Sequence, residues 1–155
     1  MKTNKKLKKI NLSCEIIDED KIKWLIDILD NNTTTEVISL VCNEMNDGLL
    51  QSLSETLKTN SFIKEFYIKE NFINDPGAKC LADILKINSS LKTLVIENNY
   101  IGDDGVQYLA EALKINNTLV KLSLSDNFIG DQGAYYLAET LKENTSIMSL
   151  SLGIC

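Results

Sequence analysis

The chain contains no histidine and no arginine. Without histidine it has no side chain whose ordinary pKa lies near neutrality. Without arginine it has no planar guanidinium to grip carboxylates or phosphates with two hydrogen bonds at once. The usual general base and the usual phosphate clamp are both missing, and no nucleophile–base pair stands out. One proline and seven glycines among 155 residues argue against a linker-rich or disordered chain. No apolar run approaches the ~20 residues that cross a bilayer. The opening "MKTNKKLKKINL" is basic but lacks the apolar centre of a signal peptide. A cytoplasmic life is expected, or export by a route that needs no such signal. The four cysteines, Cys14, Cys42, Cys80 and Cys155, lie far apart, with no CxxC pairing and no histidine to complete a zinc site. No metal and no cofactor are expected.

The charge is uneven. Net charge is −6, yet Lys2, Lys5, Lys6, Lys8 and Lys9 crowd the first nine residues. The rest sets eleven lysines against 22 carboxylates, a net of −11. So acidic a body speaks against nucleic acid as a partner, and nothing points to a membrane. The lysine cluster reads as a solvated end, with residues 1–6 forming a basic tail.

What the sequence does have is a repeat. "NNYIGDDGVQYLAEALKINNTL" and, 28 residues later, "DNFIGDQGAYYLAETLKENTSI" are one pattern written twice. The same frame fits five units, 7–34, 35–62, 63–90, 91–118 and 119–146, with a partial sixth at 147–155. Its fourth position reads Ile10, Ile38, Phe66, Leu94, Leu122 and Leu150. Its sixth reads Leu12, Leu40, Ile68, Ile96, Leu124 and Leu152. Its ninth reads Glu15, Asn43, Asn71, Asn99, Asn127 and Cys155. A period of this length marks a stacked-repeat architecture.

Within each unit the apolar spacing switches. "LKTLVI" alternates, as a strand with one buried face does. In "IGDDGVQYLAEALKIN", Val106, Leu109, Ala110, Ala112 and Leu113 keep helical spacing. Asp47, Asp75, Asp103 and Asp131 share the thirteenth position, where a carboxylate is expected to cap its helix. Pro76 suits the first helical position. One unit cannot bury its apolar face alone, but stacked units can. The expected fold is therefore an α/β solenoid over 7–155, curved like a horseshoe. Its parallel sheet lines the concave side and its helices the convex side. The buried ninth-position asparagines, Asn43, Asn71, Asn99 and Asn127, are expected to form a ladder satisfying backbone groups where each strand bends.

The unit "LKTLVIENNYIGDDGVQYLAEALKINNT" resembles the leucine-rich repeat of the ribonuclease-inhibitor subtype, LxxLxLxxNxIgdxGaxxLaexLkxNxs. The resemblance covers 7–155. It implies a protein-binding module, as in NOD-like receptors, Ran GTPase-activating proteins and tropomodulins. The first two units depart from the pattern, with Lys21 and Leu49 where later units have Gly77, Gly105 and Gly133. The sixth unit stops after its strand. That leaves two readings open: a fragment of something longer, or an end that meets another molecule, a second copy included.

The repeat leaves certain positions free. On the concave side Glu65, Tyr67, Lys69, Val95 and Glu97 form a central cluster, expected to bind a partner protein. The tenth position carries Phe72, Tyr100 and Phe128, an alternative partner site along the rim, or aromatic stacking that stiffens the loops. Trp24, Ser52, Cys80, Tyr108 and Tyr136 at the eighteenth position read as packing between helices. Cys14 and Cys42 occupy one register in adjacent units and are expected as neighbouring free thiols. The function expected is a non-enzymatic protein–protein interaction module. The alternatives are an actin-binding module, since "KTNSFIKEFYIKENFIN" resembles tropomodulin and leiomodin repeats, and a GTPase regulator similar to Ran GTPase-activating proteins. The lysine-, asparagine- and isoleucine-rich composition points to an AT-rich coding sequence, as in protists or in bacteria that place effectors in a host cytosol.

Overall fold

A computed structural model describes residues 6–153. Lys2, Lys5 and Cys155 fall outside the described residues. The order is β1 (Lys9–Asn11), α1 (Glu19–Asn31), β2 (Val37–Ser39), α2 (Asp47–Thr59), β3 (Glu65–Tyr67), α3 (Asp75–Ile87), β4 (Thr93–Val95), α4 (Asp103–Leu113), β5 (Lys121–Ser123), α5 (Asp131–Leu141) and β6 (Ser149–Ser151). The six strands form one parallel sheet in chain order. Every strand pairs with the next in repeat register, as in Ile38 against Phe66 and Phe66 against Leu94. The chain is a leucine-rich-repeat solenoid of the ribonuclease-inhibitor-like type. Ile38, Leu40, Ile68, Leu94, Ile96, Leu122 and Leu124 are fully buried between the sheet and the helices.

Three hydrogen-bonded rows hold the repeats in register. The first is the expected asparagine ladder. The Asn71 amide donates to Leu40 O and Lys69 O, both at 2.8 Å, and its Oδ1 accepts from Asn43 N and Met45 N at 3.1 and 2.9 Å. Asn99 and Asn127 repeat this one and two units on, with Asn99 Nδ2 to Ile68 O and Asn127 Nδ2 to Ile96 O both at 2.9 Å. Asn43 breaks the series. Its Oδ1 accepts from Glu15 N at 2.9 Å, but its buried Nδ2 has no partner.

The second row lies at the helix C-termini. Asn88 Nδ2 donates to Leu57 O at 2.7 Å, Asn116 Nδ2 to Leu85 O at 2.7 Å, and Asn144 Nδ2 to Leu113 O at 2.7 Å. Each side-chain oxygen then accepts from the two or three residues that turn the chain back toward the sheet, as Asn88 Oδ1 does from Ser90 N and Leu91 N. Orphan carbonyls at helix ends are thereby satisfied by the next repeat.

The third row corrects the expected cap. The thirteenth-position aspartate is the first residue of its helix, and its carboxylate reaches forward into the next unit. Asp47 Oδ1 accepts from Asn74 N at 2.9 Å and Asp75 Oδ1 from Gly102 N at 2.7 Å. Asp103 Oδ1 accepts from both Gly130 N and Gly133 N, at 2.7 and 2.9 Å. The cap residues of α3, α4 and α5, Asn74, Gly102 and Gly130, accordingly make no side-chain cap of their own. Only Asp18 and Asn46, at the first two helices, cap in the ordinary way. The forward reach explains the fifteenth-position glycines. A Cβ at Gly77, Gly105 or Gly133 would sit 2.3, 2.5 or 2.6 Å from the preceding repeat's aspartate oxygen. The latch has two halves, an aspartate in one unit and a glycine in the next. Leu49 is tolerated because Glu19, not aspartate, precedes it by one repeat.

Candidate functional site

On the concave side the sheet presents its third, fifth and seventh positions. Tyr67 donates its hydroxyl to Glu65 Oε2 at 2.7 Å. That bond, with burial and the charge of Glu65 adding to it, pushes the Tyr67 pKa up to about 12. Lys69 Nζ lies 2.7 Å from Glu97 Oε2. Ser123 donates to Glu97 Oε1 at 2.6 Å. Hydrogen bonds from Lys69 and then Ser123 hold the Glu97 carboxyl below the ordinary carboxylate range. The same bond from Lys69 raises that lysine's own pKa. Nearer the amino-terminal end, Glu36 sits between Lys8 and Lys64 at 2.8 and 3.4 Å. The structure brings four of the five concave residues together as polar groups, but their charges largely answer one another. Val95 is a correction. It is 3% exposed, held in register between Tyr67 and Ser123, so it offers no surface to a partner. Neighbouring inner-face side chains close over the smaller ones at this position, and Ser39 and Ser123 are buried there too.

The rim differs. Phe72, Tyr100 and Phe128 are 46, 47 and 68% exposed. Their rings nevertheless form a row, tilted with centroids 6.0 Å apart for Phe72–Tyr100 and stacked at 5.8 Å for Tyr100–Phe128. Backbone bonds set the spacing: Phe72 N donates to Met45 O at 2.8 Å, Tyr100 N to Ile73 O at 2.8 Å and Phe128 N to Ile101 O at 2.9 Å. Each loop is hung on the one before it, so each ring lies over its neighbour. Flanking residues Asn71, Ile73, Asn99 and Ile101 are buried, which forces the ring between them outward. Contact and exposure coexist: neighbouring faces shield one another along the row while the outer edges meet water. In earlier units the row continues as Ile16, exposed, and Glu44, which breaks its apolar character.

The convex side is mostly packing. Cys80 is buried, Tyr108 and Tyr136 are half-buried, and Lys79 Nζ sits 5.6 Å from the Tyr108 ring centre. Trp24 and Ser52 depart from the expectation of helix-groove packing. Trp24 is 53% exposed and Ser52 is exposed, because α1 and α2 turn these positions to solvent. Sequence reasoning missed the Asn32, Asn60, Asn88, Asn116, Asn144 row, although asparagine fills that place in all five units. It also missed Ile87 and Ile115, exposed on the opposite edge of the solenoid. Among the described residues no helix is long and apolar enough to cross a membrane.

No curated protein matches the chain in sequence. Among solved structures, it is similar to leiomodin-1 actin-binding site 2, with TM-score 0.75 and 24% identity, covering 88% of this chain and 78% of that one. It is also similar to the tropomodulin C-terminal domain of Caenorhabditis elegans, with TM-score 0.70 and 18% identity, covering 91% of this chain and 86% of that one. In sequence, residues 43–154 match the TMOD/LMOD leucine-rich domain family. The match runs through every repeat that carries the aspartate–glycine latch and the aromatic row, and the chain belongs to the TMOD/LMOD leucine-rich domain family.

Proposed function

We propose that this chain is a non-enzymatic binding module for actin, and that it engages actin along the Phe72–Tyr100–Phe128 rim. The observation that carries the site is that three exposed rings share one register on successive repeats and lie within 6.0 Å of one another, forming a continuous apolar row. Stacked rings cost little entropy to order, because backbone bonds already fix their spacing, and such pre-ordered apolar surface favours association. The concave cluster supports binding less well. Glu65, Lys69 and Glu97 already have partners, so a ligand there must replace existing hydrogen bonds rather than add new ones. Family membership supports a protein partner. The likeness to an actin-binding site of leiomodin-1 supports actin as that partner. The cytoplasm is the setting that follows.

Sedimentation with filamentous actin tests both halves of the reading. The Phe72→Ala, Tyr100→Ala, Phe128→Ala variant is expected to lose most binding, and a Glu97→Lys variant to keep it. Loss from Glu97→Lys with retention by the triple variant returns the site to the concave face. No binding by the unaltered chain, with a folded circular-dichroism spectrum, refutes actin.

A further inference from the structure

The amino-terminal end of the rim carries a feature that neither the repeat nor the proposed binding uses. Cys14 and Cys42 are both exposed free thiols at the eighth position of adjacent repeats. Both backbones are left-handed there, with φ of 61° and 59°. The loops run in register, since Cys14 N donates to Val41 O at 2.8 Å and Cys42 N to Lys69 O at 2.9 Å. Equal backbone conformation on in-register neighbours makes the two Cα–Cβ bonds parallel. Adjacent parallel strands lie about 4.8 Å apart, inside the roughly 4.4–6.8 Å between Cα atoms that a disulfide spans but just above its roughly 3.5–4.5 Å between Cβ atoms, so the two loops lean together slightly to close it. The thiols also sense each other: the neighbouring Cys14 is the first cause raising the Cys42 pKa.

A second observation lies in the same place. Both cysteines line a shallow depression of about 410 Å³ with Asn43, Glu44, Glu70 and Phe72. Asn43 is buried there and its Nδ2 has no partner, unlike the equivalent amides of Asn71, Asn99 and Asn127. The junction between the first two repeats also lacks the aspartate–glycine latch, having Glu19 and Leu49 instead. Of the junctions between the five full repeats it is the one without that latch, and it is the one that carries paired thiols.

We propose that Cys14 and Cys42 form a reversible disulfide that fastens the first repeat to the second. A low-molecular-weight disulfide such as oxidised glutathione is the oxidant. One cysteine thiolate attacks a glutathione sulfur, the glutathione S–S bond breaks, and one glutathione thiolate leaves. The second cysteine, giving its proton to solvent, attacks the protein sulfur of that mixed disulfide and expels the other glutathione. Two protein thiols are oxidised and one glutathione disulfide is reduced to two thiols. An exposed bond between two left-handed residues is readily reduced again, so the fastening follows the redox state of the surroundings.

The test treats the whole chain with oxidised glutathione and maps its peptides without reduction. The expected product is a monomer with a Cys14–Cys42 linked peptide and no retained glutathione. Closing this 28-residue loop is expected to raise the thermal midpoint by about 10 °C, reversed by dithiothreitol. Cys14→Ser and Cys42→Ser are each expected to abolish the rise, and Cys80→Ser to leave it. Stable mixed disulfides, crosslinked dimers, or a linked peptide with an unchanged midpoint overturns the proposal.

Discussion

Replacing Gly105 by alanine tests the latch between repeats. In a solvent-facing helix this change stabilises, because alanine exceeds glycine in helix propensity by about 1 kcal/mol. Here the new Cβ falls 2.5 Å from Asp75 Oδ1, 2.7 Å from Ile101 Cγ2 and 3.0 Å from Ala78 Cβ. Asp75 cannot retreat without lengthening its 2.7 Å bond from Gly102 N, which caps α4. Overpacking costs about 1–3 kcal/mol and a lost cap about 1 kcal/mol. Against the propensity gain, the net is a destabilisation of about 2 kcal/mol. Asp75→Ala alone loses only the cap, about 1 kcal/mol. In the double variant the carboxylate that clashed is gone and the cap is counted once, so its cost falls short of the sum by about 1–2 kcal/mol. Gly48→Ala is the control. Its nearest contact is Asn46 Oδ1 at 3.4 Å and no aspartate reaches it, so it gains up to about 1 kcal/mol. Urea unfolding of the four variants measures all of this. A stabilised Gly105→Ala, or additive costs in the double variant, refutes the latch.

Three further outcomes follow from the same geometry. Asn99→Leu strips one acceptor and three donor bonds from a buried site and is expected to cost about 3–5 kcal/mol in urea unfolding. Asn43→Leu removes a side chain already half unpaired and is expected to cost less than half as much. Glu70 holds φ of 56°, where asparagine is at ease and glutamate is not, so Glu70→Asn is expected to raise the thermal midpoint, by about 0.5–1 kcal/mol of stability. Glu97 has a folded pKa below the ordinary 4.5, so its contribution is present above that value and lost as pH falls through the folded pKa. Glu97→Gln should therefore be less stable than the original at pH 7. The gap should close as pH falls below 4.5 and through the folded pKa, measured by urea midpoints across the range.

Strand and helix places, the sheet's parallel order and the ninth-position ladder were all legible, because each rests on spacing within a repeat. Phe66 and Leu94 alternate with their neighbours, and no tertiary information is needed to place them inside. What spacing within one repeat did not reveal was any rule linking two repeats. Asp75 reads as serving its own helix, since a cap normally lies in the helix it caps. Its partner is a backbone amide 27 residues on. The clue was in the sequence as a joint pattern: Asp47, Asp75 and Asp103 are each followed thirty residues later by glycine, and Glu19 by Leu49. Val95 failed for a different reason. Alternation assigns a residue to a face but not an exposure, and only the sizes of Tyr67 and its other neighbours decide whether that face is open.

These cross-repeat rules also separate what the chain must keep from what it can change. Asparagine at two positions is fixed by bonds to the preceding unit, aspartate by a bond to the next, and glycine by the close approach of that aspartate, so none of them can encode a partner. The tenth position makes no such side-chain bond, yet the backbones of Phe72, Tyr100 and Phe128 are each hydrogen-bonded to the preceding loop. A side chain there is held in place without being used for stability. That combination suits recognition, because a substitution alters the surface while the scaffold stays put. Phe72, Tyr100 and Phe128 occupy it in the three repeats whose glycine receives the preceding repeat's aspartate, and Ile16 and Glu44 occupy it in the two that have no such glycine. The aromatic surface thus rests on the repeats that the aspartate–glycine latches fasten.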